Sequence, residues 1–239
     1  MNSPADPMIT VLLVHGAWAD ASSWRKVIPL LHRVGIPVVA VQNPTSSLAD
    51  DVAATRAALE NVQGPVVLAG HSWGGTVITE AGNDPKVKAL VFVAAFAPDI
   101  NESTGDQVAA HPAPPGLATV APDRSGNLVM SVEGFLRNVA QDLPKEEARV
   151  LAAVSPPLGS STFGDRVQHA AWRTRPNWYV VSSEDRAVSV ALQRQLAERL
   201  KARKTELKAS HMSLLSEPQA VADVILEAVR AVASLEAQA

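Results

Sequence analysis

The chain contains no cysteine. That absence excludes disulfides, thiolate metal sites and a cysteine nucleophile together, and it is compatible with a reducing cytoplasm, the expected location. Aromatic residues are scarce at 4%, with a single tyrosine. Neither sign of charge dominates: 21 basic side chains stand against 24 acidic ones, and the pI is about 6.1. A nucleic acid or an anionic membrane surface is therefore not an expected partner. No apolar run approaches the ~20 residues a membrane helix requires. The opening MNSPADPM has neither a basic stretch nor a long apolar one, so no signal peptide is expected. HExxH, GxxxxGK[ST] and a dinucleotide fingerprint after the first strand are also missing, and no metal, nucleotide or flavin cofactor is expected.

What is present is an ordinary globular balance, 47% hydrophobic and 19% charged over 239 residues, enough for one sizeable core. Short β-branched runs alternate with amphipathic, alanine-rich runs. ITVLLVHG (Ile9–Gly16), PVVAVQ, GPVVLAG, VKALVFVAAFAP (Val87–Pro98), NWYVVSSED (Asn177–Asp185) and TELKAS read as six strands. Helices are expected over Ser22–Gly35, Ser47–Val62, Gly74–Asn83, Ser189–Ala202 and Glu217–Leu235. Strands alternating with helices imply a mostly parallel sheet covered on both faces, an α/β fold. Residues 99–175 break the pattern. They are rich in Pro, Gly and Ala, with helical pieces near Val132–Asp142 and Lys145–Ala153, and are too long for a plain connection. They read as an inserted cap on a core formed by residues 1–98 and 176–239.

The stretch LAGHSWGGTVITEAG carries the chemistry. In Gly-x-Ser-x-Gly between a strand and a helix, the serine sits in a sharp turn. Gly70 and Gly74 make room for it, and the Ser72 hydroxyl stands at the C-terminal edge of the sheet. The Trp73 N–H, near the helix start, is placed to meet a developing oxyanion. A serine nucleophile needs a base, and the base needs an orienting acid. His211 lies between the last short strand and the last helix, and Asp185 ends the strand before it. All three fall at one sheet edge. VHGAW, after the first strand, adds the Ala17 N–H as a second oxyanion donor.

These pieces (VLLVHGAW, GHSWGG, SSEDRAV and SHMSLLSEP) resemble the α/β-hydrolase superfamily over nearly the whole chain. The likeness is closest to its small esterases with a plant methyl-esterase and hydroxynitrile-lyase type of core. The resemblance implies Ser72 as nucleophile, His211 as base, Asp185 as acid, Ala17 and Trp73 as oxyanion donors, and a cap over the site. Met212 stands where the plant lyases carry a lysine after the histidine, which argues against cyanohydrin cleavage. Ser72 itself argues against the aspartate chemistry of dehalogenases.

The expected activity is hydrolysis of small to medium, largely apolar carboxylic esters through an acyl-enzyme, with a small-molecule ester as the partner and the oligomeric state left open. A lactonase or perhydrolase activity, or a ligand receptor of the same fold with little turnover, are the alternatives. Trp18, Trp172 and Met212 are expected to contact substrate, and Trp73 is an even choice between pocket and core. Trp24 is expected in the core, His15 and His71 in structural roles, and His32, His111 and His169 at the surface. Asp99 is the second choice for the acid. Glu184 is expected to face away from Asp185 by strand alternation, and the run KARK to form a solvated helix end.

Overall fold

The computed structural model describes residues 8–238, so the signal-peptide expectation falls mainly outside the described residues. Eight strands are present among them: β1 (Thr10–Val14), β2 (Val38–Val41), β3 (Val66–His71), β4 (Val87–Val93), β5 (Val120–Pro122), β6 (Leu128–Met130), β7 (Asn177–Ser182) and β8 (Arg203–Leu207). Six form one sheet in the order β2-β1-β3-β4-β7-β8, every neighbouring pair parallel. β1, β3 and β7 are buried along their whole length. That is why they read as unbroken apolar runs rather than alternating ones.

The helices are α1 (Ile28–His32), α2 (Leu48–Glu60), α3 (Gly74–Ala81), α4 (Thr104–Ala109), α5 (Val132–Asn138), α6 (Lys145–Ala153), α7 (Val190–Arg199), α8 (Ser213–Ser216) and α9 (Pro218–Glu236). Alternate strand residues face opposite layers. Leu12 and Val14 belong to the apolar layer that includes side chains of α2, α3 and α7, whereas Val11 and Leu13 belong to the one that includes α1, α9 and the paired helices α5 and α6. Ser47 caps α2 by accepting from the Asp50 N–H, and Ser189 does the same for α7 through Leu192. No described helix is long and apolar enough to cross a membrane.

The strand order positions the site. From β1 the chain runs outward to β2, returns to β3 on the other side of β1, and then builds toward β8. The direction reverses between β1 and β3, and ligands of open α/β sheets bind at the carboxyl ends of the strands flanking such a reversal. The VHGAW loop leaves β1 there, and the Ser72 turn leaves β3.

Three expectations about elements need correction. The helix over Ser22–Gly35 is split into a 3-10 turn (Ala21–Trp24) and α1. Pro29 has no N–H to donate back to Arg25, and its ring crowds that carbonyl, so one continuous helix cannot form. The last strand begins two residues early, at Arg203, so KARK is divided. Lys201 follows α7, while Arg203 and Lys204 open the edge strand β8, where charged side chains deter edge-to-edge pairing. The 99–175 segment also holds α4 and an antiparallel hairpin, β5–β6, that the sequence reading missed.

Candidate active site

Ser72 adopts φ +53°, a left-handed conformation that a non-glycine residue rarely holds. The turn is fixed from both sides: the Ser72 N–H donates to Val93 O, and Ser72 O accepts from the N–H groups of Gly75 and Phe96. Glycine is required around it by contact. A Cβ on Gly74 would lie 2.5 Å from Val14 O, and one on Gly16 would lie 2.8 Å from Ser72 Cβ. The strained serine and the β1 loop are thus pressed together at the switch point.

His211 and Asp185 meet as their strand-end positions imply. His211 Nδ1–H donates to Asp185 Oδ2 at 2.7 Å, with both side chains buried. A carboxylate only accepts, so Nδ1 carries a proton, and in the neutral ring that leaves the lone pair on Nε2. Asp185 cannot turn away. Its Oδ1 also accepts from the N–H groups of Ala187 (2.7 Å) and Val188 (2.9 Å), and its Oδ2 from Gln193 Nε2 (2.8 Å). Gln193 is a positioning residue that sequence reading missed, because nothing local marks one buried polar residue of α7. Asp99, the alternative acid, pairs with Arg173 at 2.6 Å, and that guanidinium holds its carboxyl below the usual range. Glu184 is exposed and lies 3.8 Å from Lys208. β7 ends at Ser182, so turn geometry rather than strand alternation separates it from Asp185.

Ser72 and His211 line one small cavity together with Ala17, Trp18, Phe96, Leu117, Phe135, Val139, Phe163, Ala187 and Val188. Ser72 and His211 supply its hydroxyl and imidazole; the one other polar side-chain group among these lining residues, the Trp18 indole N–H, is taken up by Leu128 O. Among the described residues no hydrogen bond joins those two side chains, and such contacts often tighten only when substrate is bound. The N–H groups of Ala17 and Trp73 have no protein acceptor among the described residues.

The supporting histidines are buried. His15 donates from Nδ1 to Gly16 O and accepts the Asn43 N–H at Nε2, both at 2.9 Å. His71 donates from Nε2 to His211 O at 2.9 Å, and its ring centroid lies 4.6 Å from that of His211. Desolvation lowers the basicity of both, and at His71 the neighbouring His211 adds to the effect.

Of the residues expected to contact substrate, only Trp18 lines the cavity; its indole N–H donates to Leu128 O at 3.0 Å. Trp172 is drawn into the seam beside α7 instead: its indole donates to Pro98 O, and the Arg173 and Arg199 guanidinium groups lie 5.7 and 5.4 Å from its ring. Met212 is buried in the apolar layer with Leu214 and Leu215. The Trp73 side chain is wholly buried and donates to Asp51 Oδ2 at 2.7 Å, so only its backbone faces the chemistry. His32 is exposed, His111 partly so, and His169, although exposed, bonds the buried Glu80 at 2.8 Å. No cluster of three or more metal-ligating side chains occurs among the described residues.

A model of a family described as the alpha/beta hydrolase family matches residues 11–224. Methylesterase 2 of Arabidopsis thaliana is 28% identical over 247 residues, covering 90% of this chain and 94% of that protein. Salicylic acid-binding protein 2 of Nicotiana tabacum is also 28% identical, over 90% of this chain and 95% of its own. Among solved structures, a pyrethroid hydrolase from Sphingobium faniae JZ-2 superposes with a TM-score of 0.81 at 22% identity, covering 95% of this chain and all of the other.

Proposed function

The chain belongs to the alpha/beta hydrolase family, and from that membership we propose that it hydrolyses carboxylic esters through an acyl-enzyme on Ser72. The observation that carries this reading is the His211–Asp185 pair opening onto the same cavity as a strained Ser72.

In this mechanism His211 Nε2 takes the Ser72 proton as Oγ attacks the ester carbonyl. The N–H groups of Ala17 and Trp73 receive the oxyanion. His15 orients the first donor: by holding Gly16 O it fixes the Gly16–Ala17 peptide plane, and in a trans peptide the Ala17 N–H then points the other way. Collapse of the tetrahedral adduct expels the alcohol, which takes the proton from His211. Water, deprotonated by His211, attacks the acyl-enzyme and frees the acid and Ser72. Asp185 keeps the imidazole in the tautomer the first step needs. Residues 99–175 act as the cap, supplying Leu117, Phe135, Val139 and Phe163 to the cavity wall. The largely apolar wall fits an uncharged substrate, and the names of the esterase relatives fit a small-molecule ester.

Nitrophenyl butanoate tests the reading. His211→Ala should lower kcat by at least ~10³-fold with the fold intact by circular dichroism. Retained activity in His211→Ala would contradict it. The name of the tobacco relative points to ligand binding; a receptor would bind the ester and turn over slowly or once, which the same assay reads as an absence of steady-state release.

A further inference from the structure

The cavity above Ser72 measures about 20 Å³. One water needs roughly 10–15 Å³, whereas a benzene-sized guest occupies a void of about 150 Å³. The site therefore admits a water but not an ester, and a wall must move before substrate reaches the serine.

The walls are not equally free to move. Trp18 is tethered through its indole N–H to Leu128 O. Phe96 is buried, and its N–H is bonded to Ser72 O, inside the serine turn itself. Phe135, on α5, and Val139, at its C-terminal end, are buried against the second apolar layer. Phe163 is the lining ring that is partly exposed, and its side chain has no polar tether. It rides on a single 3-10 turn (Thr162–Gly164), and the space beside Gly164 is open. The residues flanking that turn, Ser161 and Asp165, line an open groove of about 490 Å³ on its outer side. Phe163 thus stands on the part of the wall that reaches toward solvent.

Phe163 also fills a defined slot. Its ring centroid lies 6.1 Å from Trp18 and 6.2 Å from Phe96, both edge-to-face, and 6.0 Å from Trp73. Three of the chain's four phenylalanines line this cavity in a protein otherwise poor in aromatic residues. A ring held among rings is the contact a planar ligand ring would reproduce.

We propose that Phe163 is the gate and the size filter of the site: it swings toward the outer groove, and an ester bearing one uncharged planar ring takes its place against Trp18 and Phe96. The proposal rests on the ester-hydrolase reading for its substrate, but not for its test. Ethyl butanoate and ethyl benzoate, followed by acid release in wild type, Phe163→Ala and Phe163→Trp, compare a flexible acyl group with a ring. Phe163→Ala should raise the benzoate-to-butanoate ratio of kcat/KM at least tenfold, and Phe163→Trp should lower it. Ratios within twofold of wild type in both variants, with butanoate hydrolysed, would overturn the gate and leave the hydrolase reading standing. If neither ester is hydrolysed, the hydrolase reading fails instead, and the gate is read from ethyl benzoate binding to Ser72→Ala by calorimetry. Tenfold tighter binding on adding Phe163→Ala supports it, and unchanged affinity overturns it. Phe163→Leu, which keeps more of the packing, serves in either arm if the alanine variant does not fold.

Discussion

His15 and His71 show how single residues support this site at a cost in acid stability. Burial depresses both below the ordinary 6.5, so the folded protein refuses protons that the unfolded chain accepts. Stability is then complete above about pH 7 and is lost as pH falls through the unfolded value toward the depressed native ones, at up to ~1.4 kcal/mol per pH unit for each histidine. Urea unfolding should show the wild type less stable at pH 5.5 than at pH 7.5, and His15→Gln, which keeps one contributor instead of two, losing less over the same interval. A wild-type stability that does not change over this interval contradicts the assignment. At this scale the sequence is uneven. That Ser72, Asp185 and His211 come together was legible because each follows a strand of the strand–helix alternation. Phe163, Gln193 and Asp51 were not, because their roles depend on contacts with residues distant in the chain. Trp172 and Met212 were misread because proximity in sequence to the cap boundary or to His211 does not say which way a side chain turns.

Asp51 ties elements together. It lies in the first turn of α2, where the helix dipole alone would account for an acidic residue. Yet it is buried, and burial pushes its carboxyl up. Its Oδ1 accepts from the Thr45 N–H and its Oδ2 from the Trp73 indole, both at 2.7 Å. Thr45, at φ +57°, in turn bonds the 99–175 segment through Gly159 N–H and Pro157 O. One carboxylate therefore joins α2, the loop after β2, the start of α3 and, through Thr45, that segment. Asp51→Ala strands two buried donors and should cost on the order of 3 kcal/mol; Asp51→Asn, which keeps one acceptor, should cost less. A loss below ~0.5 kcal/mol for Asp51→Ala in urea unfolding contradicts that account. Elements with strong periodicity and a serine cap, such as α2 and α7, were readable to within a few residues. α4 carries a readable signal too, since Ser103 and Asp106 form a capping box, and the Gly126 turn marks the β5–β6 hairpin. Both are too short for apolar periodicity to reveal.

Across the whole molecule, six parallel strands and one reversal between β1 and β3 gather four loops at a single edge. The alternation of strand and helix made this architecture legible before any side chain was placed. The 99–175 segment was legible only as an interruption, because it joins the rest of the chain through long-range bonds such as Trp18 to Leu128 and Gly159 to Thr45. The central claim is that this edge performs covalent ester hydrolysis at Ser72. The most direct measurement is steady-state nitrophenol release from short and medium acyl nitrophenyl esters by wild type and Ser72→Ala, with circular dichroism confirming that both are folded. Many turnovers in the wild type, abolished in Ser72→Ala, are the predicted result. Equal rates in the two proteins, or no turnover in the wild type, would contradict it.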